Sequence, residues 1–177
     1  MKKNILRMNF LFIIIAIIFT ACQKDKIGEG NDEELITTMK LTFTPVNGGT
    51  AFTYSFNDPD GPGGIAPEQD EIILTNTTLY QVEIKLLNNS ENPPLDITEE
   101  VLAEAEAHRF FYETTAGIAF SNFNKDSNAV SVGTRSTWNS GPAGTGKVKI
   151  TLRHYIGTPP DKQESDLVNS AKSVSDI

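Results

Sequence analysis

Along most of the chain, apolar and polar residues alternate with a period of two, the pattern of strands with one buried face. Met39, Leu41 and Phe43 alternate with Lys40, Thr42 and Thr44, and Phe52, Tyr54 and Phe56 alternate with Thr53 and Ser55. Asn47-Gly48-Gly49 between these runs predicts a hairpin turn. Tyr80, Val82, Ile84 and Leu86 follow the same rule, as do Val148, Ile150, Leu152 and His154. Weaker strand patterns cover 71–74, 109–114, 117–120, 129–132 and 135–139, separated by Gly, Pro and Asn clusters. Many short strands at this spacing predict a mainly β domain over residues 36–156. Its expected form is an antiparallel β-sandwich, immunoglobulin-like, or an open barrel.

One stretch breaks the period. Pro93-Pro94 ends the preceding strand, and Asp96-Ile97-Thr98-Glu99 has the N-cap and following acid of a capping box. Ala, Leu and Glu then dominate up to Ala107, and Ile97, Val101, Ala105 and His108 fall on one stripe. This predicts one short helix that carries His108 on its inner face. Beyond Gly157-Thr158-Pro159-Pro160 the chain is polar. Residues 157–177 read either as a polar tail or as a final strand cut short.

The N-terminus follows neither period. Lys2, Lys3 and Arg7 precede an apolar run from Phe10 to Phe19, which closes in Thr20-Ala21-Cys22. A basic head, an apolar middle and small exit residues predict a cleaved signal peptide over residues 1–21. At about 1.5 Å per helical residue the run is short for a permanent membrane span. Its end resembles a bacterial lipobox, with Phe19 where that family usually has Leu. The resemblance implies cleavage before Cys22, lipidation of its thiol and a lipid anchor in the membrane. A buried leader residue or a free thiol is the alternative for Cys22, which is the only cysteine and so forms no disulfide within the chain. Residues 22–35 bury little and read as a flexible tether. Cys22-Gln23-Lys24-Asp25 is similar to the signal that sends Bacteroidetes lipoproteins to the outer face of the outer membrane, which implies surface exposure. A generic charged linker is the plainer reading.

Charge narrows the partners. Without residues 1–21 the chain has 12 Lys and Arg against 23 Asp and Glu, a net charge of about −11. Nucleic acid is excluded as a partner on this balance, because phosphate binding needs a basic face. Catalytic motifs are also missing: there is no GxSxG elbow and no HExxH, and the chain reads as a non-enzyme. Gly141 to Lys147 superficially suggests a phosphate loop, but Lys147 opens a strand rather than a helix, so it reads as a hairpin loop.

Four groups of residues remain as candidate chemistry. His108 and His154 both sit on inward faces, and Glu104 precedes His108 by one helical turn. Two imidazoles and a carboxylate suit zinc or another divalent metal if the fold brings them together. Two core-edge histidines bonded to backbone carbonyls or to a nearby Glu are the simpler reading. Asp58 and Asp60 offer two hard oxygen ligands in a glycine-rich loop, as calcium requires, although Asp-Pro-Asp-Gly is also a strong turn former. Trp138, the sole tryptophan, is a stacking platform for a glycan if exposed and a core residue with a bonded indole if buried.

Several stretches together resemble a family of small, mostly uncharacterised Bacteroidetes lipoproteins, sometimes labelled type 1 periplasmic-binding-fold proteins. They are Ile36-Thr37-Thr38 to Phe43-Thr44, Asp58 to Gly64, Asn76 to Tyr80, Asp96 to Glu100, His108-Arg109-Phe110-Phe111 and Thr151-Leu152-Arg153-His154. The label implies an α/β fold, whereas the residues read as strands with one helix. Family members often continue past a stretch like Ser175-Asp176-Ile177 into another apolar strand. The resemblance also implies company with TonB-dependent outer-membrane receptors. The expected role is therefore an accessory module binding a small ligand, metal or glycan. A structural or adhesive lipoprotein without a ligand pocket is the alternative.

Overall fold

A computed structural model describes residues 34–60 and 64–177. The signal peptide expected over residues 1–21, Cys22, most of the expected tether and Gly61 to Gly63 of the Asp58–Asp60 loop lie outside the described residues. The fold is mainly β, with two antiparallel sheets and one short helix, as the period of two predicts.

The larger sheet grows from the hairpin of β1 (Thr38–Pro45) and β2 (Phe52–Asn57), with Phe43 opposite Phe52. Gly48 and Gly49 take φ of 93° and 137° in its turn, conformations that residues with a Cβ avoid. β3 (Glu68–Gln69) borders β2, and β4 (Leu79–Asn88) runs along the other side of β1. From Leu79 to Leu86 burial alternates residue by residue, so Tyr80, Val82, Ile84 and Leu86 all face the core. β5 (Leu95–Asp96) and β8 (Arg135–Asn139) both pair with β4, and β7 (Ala119–Ser121) flanks β8.

The smaller sheet has β9 (Val148–Tyr155) at its centre, between β6 (His108–Thr114) and β10 (Ser173–Ser175). Leu41, Phe43, Leu86 and Trp138 of the larger sheet share one buried cluster with Phe110 and Leu152 of the smaller. The core therefore lies between the sheets.

Three expectations change. The helix, α1 (Ile97–Ala103), starts where the cap predicts, with Asp96 accepting from Thr98 N–H at 3.1 Å, but it ends early. Glu104 caps it, and Ala107 N–H turns back to Glu104 O at 2.8 Å. His108 consequently opens β6 instead of riding the helix. The seven residue pairs of β6 with β9, which bury Phe110 and Leu152, outweigh the helix preference of Glu104-Ala105-Glu106-Ala107.

The second change is at 71–74 and 129–132, neither of which forms a strand; in 129–132 only Ser131 pairs, in an isolated bridge with Lys125. The Tyr54 hydroxyl occupies both the N–H and the carbonyl of Ile73, replacing ladder bonds. The third is at 157–177, which folds onto the smaller sheet as β10. Asp176 N–H bonds Leu152 O at 3.2 Å, and Leu152 N–H bonds Ile177 O at 3.1 Å.

Candidate metal centre

β6 and β9 pair in register, and their first and last inward residues, His108 and His154, stand directly opposite each other. Their rings are 4.4 Å apart between centroids, tilted by 51°. Val174 opposes His154 on the other side of β9, so Asp176, two residues on, shares the face of Val174. From the N-terminal side Glu34 enters the same end of the sandwich. Its carboxylate is 5 % exposed, while the next residue, Leu35, is 51 % exposed. An inward carboxylate beside an outward leucine inverts the usual preference, and such local inversions mark functional positions.

Glu34, His108, His154 and Asp176 each bring one ligand atom to a group in which all four lie within 4.8 Å of one another. Neighbouring ligands on a tetrahedral zinc are about 3.4 Å apart, so an ion would draw these side chains together by roughly an ångström. Two nitrogens and two oxygens form a donor set that a divalent metal can use.

The hydrogen bonding points the same way. His108, fully buried, has Nδ1 3.0 Å from Glu104 O. A carbonyl only accepts, so Nδ1 carries the hydrogen. Nε2 then faces Glu34 Oε1 at 2.9 Å, donating if protonated and offering a lone pair if not. Metal-binding imidazoles are commonly oriented in this way, with the far N–H held by a backbone carbonyl. Glu34 Oε2 and His154 Nδ1 are both buried without a hydrogen-bond partner and lie 3.8 Å apart. That separation is too long for a hydrogen bond and close to the spacing of two ligands on one ion.

Charge in the site is uneven. Burial pushes the Glu34 carboxyl up, but the hydrogen bond and charge of His108 outweigh it and hold it below the usual range. Burial disfavours a charged His108 too, and the Glu34 carboxylate reverses that, so its imidazole titrates above its ordinary value. Burial and the adjacent His108 charge push His154 down, which favours its neutral, ligating form. A divalent ion on neutral imidazoles would balance two carboxylates.

The other sequence candidates fall elsewhere. Glu104 is exposed and contributes its backbone carbonyl, not its carboxylate, because the helix ends at its position. Trp138 is no stacking platform: it is 0 % exposed, packed edge-on against Phe43 and Phe120, with its indole N–H donated to Ser136 Oγ at 2.9 Å. Asp60 closes a turn by accepting from Ile65 N–H at 2.8 Å, and Asp58 N–H bonds Thr37 O at 2.8 Å. Neither belongs to a metal-ligand group among the described residues. A mainly apolar cleft of about 250 Å³ lies between β1, β2 and β9, lined by Leu41, Tyr54, Phe56 and Ile150 among others.

Sequence reasoning missed Glu34 and Asp176. Glu34 was hidden in the acidic run Asp32-Glu33-Glu34, although it is two residues from buried Ile36 and so shares its inward parity. Asp176 carries no such signal: its neighbour Ile177 packs against the core, so alternation in the sequence would turn Asp176 outward. No protein-family model, curated protein or solved structure matches this chain.

Proposed function

We propose that this chain is a non-enzymatic binding module of the cell envelope whose ligand is a divalent transition-metal ion, held by Glu34, His108, His154 and Asp176. The observation that carries the reading is the convergence of four ligand atoms within 4.8 Å, from four separate segments of the chain. Mixed nitrogen and oxygen donors favour zinc or a similar borderline ion over calcium, which takes oxygen ligands. The leader supports anchoring through a lipid on Cys22, and the Lys24-Asp25 sequence after it supports an outward-facing position at the outer membrane. In that setting the module serves a receptor in the same membrane.

Zinc titration of the metal-stripped full chain by calorimetry tests the ligand. One site per chain is expected, with calcium giving no comparable heat. His154→Ala is expected to weaken zinc by more than the roughly 10–100-fold lost when only an orienting partner of a ligand is removed. At free zinc 100 times its Kd, the folded domain should gain about 2.7 kcal/mol by mass action. Absence of binding, or binding unchanged in His154→Ala, would overturn the assignment and leave the structural or adhesive reading. Location is tested separately: protease added to intact cells should remove the domain, and full protection would exclude the outward-facing position.

A further inference from the structure

We propose that the bound ion works as a clasp, fastening the N-terminal entry at Glu34 and the last strand at Asp176 onto the His108–His154 pair. The clasp depends on the metal-binding reading and says what the ion does there. His108 and His154 belong to one ladder of seven residue pairs, the well-held part of the smaller sheet. β10 joins β9 through only three pairs, followed by the bonds of Asp176 and Ile177 to Leu152. On the other side, β1 begins at Thr38, and Thr37 N–H still reaches Leu87 O at 3.0 Å. Glu34 lies beyond that ladder, and its side chain carries the connection inward to His108.

Segments with few backbone hydrogen bonds open first, at a fraction of the free energy of global unfolding. An ion that bridges two such segments to a firmly paired strand therefore changes their opening most. The ligand count agrees with this role. Four protein ligands fill a tetrahedral ion and leave no position for a substrate, the pattern of a structural site rather than a catalytic one. Glu34 lies within residues 22–35, the stretch read as the tether, yet its carboxylate is packed against His108, so the clasp fixes where the folded domain begins.

Hydrogen–deuterium exchange of the full chain, with zinc or with a chelator, tests the clasp, and calorimetry on the same samples reports binding. With zinc bound, peptides covering 35–38 and 173–177 should exchange at least about tenfold more slowly, relative to the β4 stretch 80–86 as internal reference. Two variants separate the arms, each studied at saturating zinc. In Glu34→Ala, zinc should still slow 173–177 but not 35–38, and in Asp176→Ala the pattern should invert. If zinc binds and both end peptides exchange as before, or if each variant slows both ends equally, the clasp is overturned while metal binding stands. If zinc does not bind, both readings fall.

Discussion

Lys162→Ala is expected to cost about 3–5 kcal/mol of folding stability, the loss typical of breaking a buried ion pair. Lys162 and Asp126 are each 1 % exposed in their side chains and 2.8 Å apart. The ammonium also donates to Ala105 O at 2.6 Å and His108 O at 2.9 Å, and lies 3.3 Å from Ser131 O. Removing it leaves a buried carboxylate without its counter-charge, held only by the N–H groups of Asn128 and Val130, and takes this donor from three carbonyl groups. Domains of this size have roughly 5–15 kcal/mol in total, so the variant should unfold at much lower urea concentration. The double variant Asp126→Ala/Lys162→Ala should recover only part of the loss, because the carbonyls still lack this donor. Full recovery would show that the ion pair acts alone.

The same pair makes an acid-side prediction. Burial pushes the Asp126 carboxyl up, but the Lys162 ammonium and the N–H groups of Val130 and Asn128 outweigh it, so its folded-state value lies below the usual range. A carboxyl lowered by folding contributes stability that is present above its unfolded pKa, about 3.9, and is lost as pH falls through the folded value. Stability of the parent chain should therefore fall below about pH 4. Asp126→Asn, weaker at neutral pH, should fall less steeply in that window. Urea denaturation between pH 2 and pH 6, read as on the order of tenths of a kcal/mol per step, would show parallel slopes if Asp126 were not responsible.

The second large effect is at the centre of the core. Trp138→Ala is expected to cost about 3–5 kcal/mol, because a large side chain is removed from a site with little freedom to collapse. Its ring is enclosed by Phe43, Phe120 and Tyr112, at centroid distances of 5.2, 4.8 and 6.0 Å. Trp138→Phe should retain most of the packing and lose the indole bond to Ser136, for roughly 1–2 kcal/mol. Because Trp138 is the only tryptophan, its fluorescence reports directly on this core. Native emission should be blue-shifted and poorly quenched by acrylamide, and should not respond to added glycans. Free access of quencher would contradict its burial.

Much of the fold was legible in the chain because strand burial is written locally. On β4 every second residue from Tyr80 to Leu86 is apolar and every one of them is buried, so period, face and sheet class follow together. The start of α1 was equally legible, since the Asp96 cap acts within three residues. Its end was not. Glu104 to Ala107 are good helix formers, and what stops them is a ladder with β9, far along the chain. The polar segment 157–177 was misjudged for a related reason. Lys162 and Glu164 look like solvated surface in sequence. In the fold, Lys162 binds Asp126, and the Glu164 carboxylate takes the N–H and hydroxyl of Ser131, both at 2.8 Å.

By itself, then, the sequence determined the mainly β class, the inward faces and the two histidines, because alternation and capping depend on neighbours only. It also holds the basic and apolar leader pattern and Cys22 on which the proposal of export and lipidation rests, a pattern read along the chain and not in the fold. Tertiary structure decided which carboxylates join the histidines. Glu104 was placed by a helical spacing that a strand pairing cancelled, while Glu34 and Asp176 come from opposite ends of the described chain. No local pattern records that approach. It follows from the register of β10 on β9 and from the inward turn of Glu34 beside an exposed Leu35, both settled only when the two sheets close on one core.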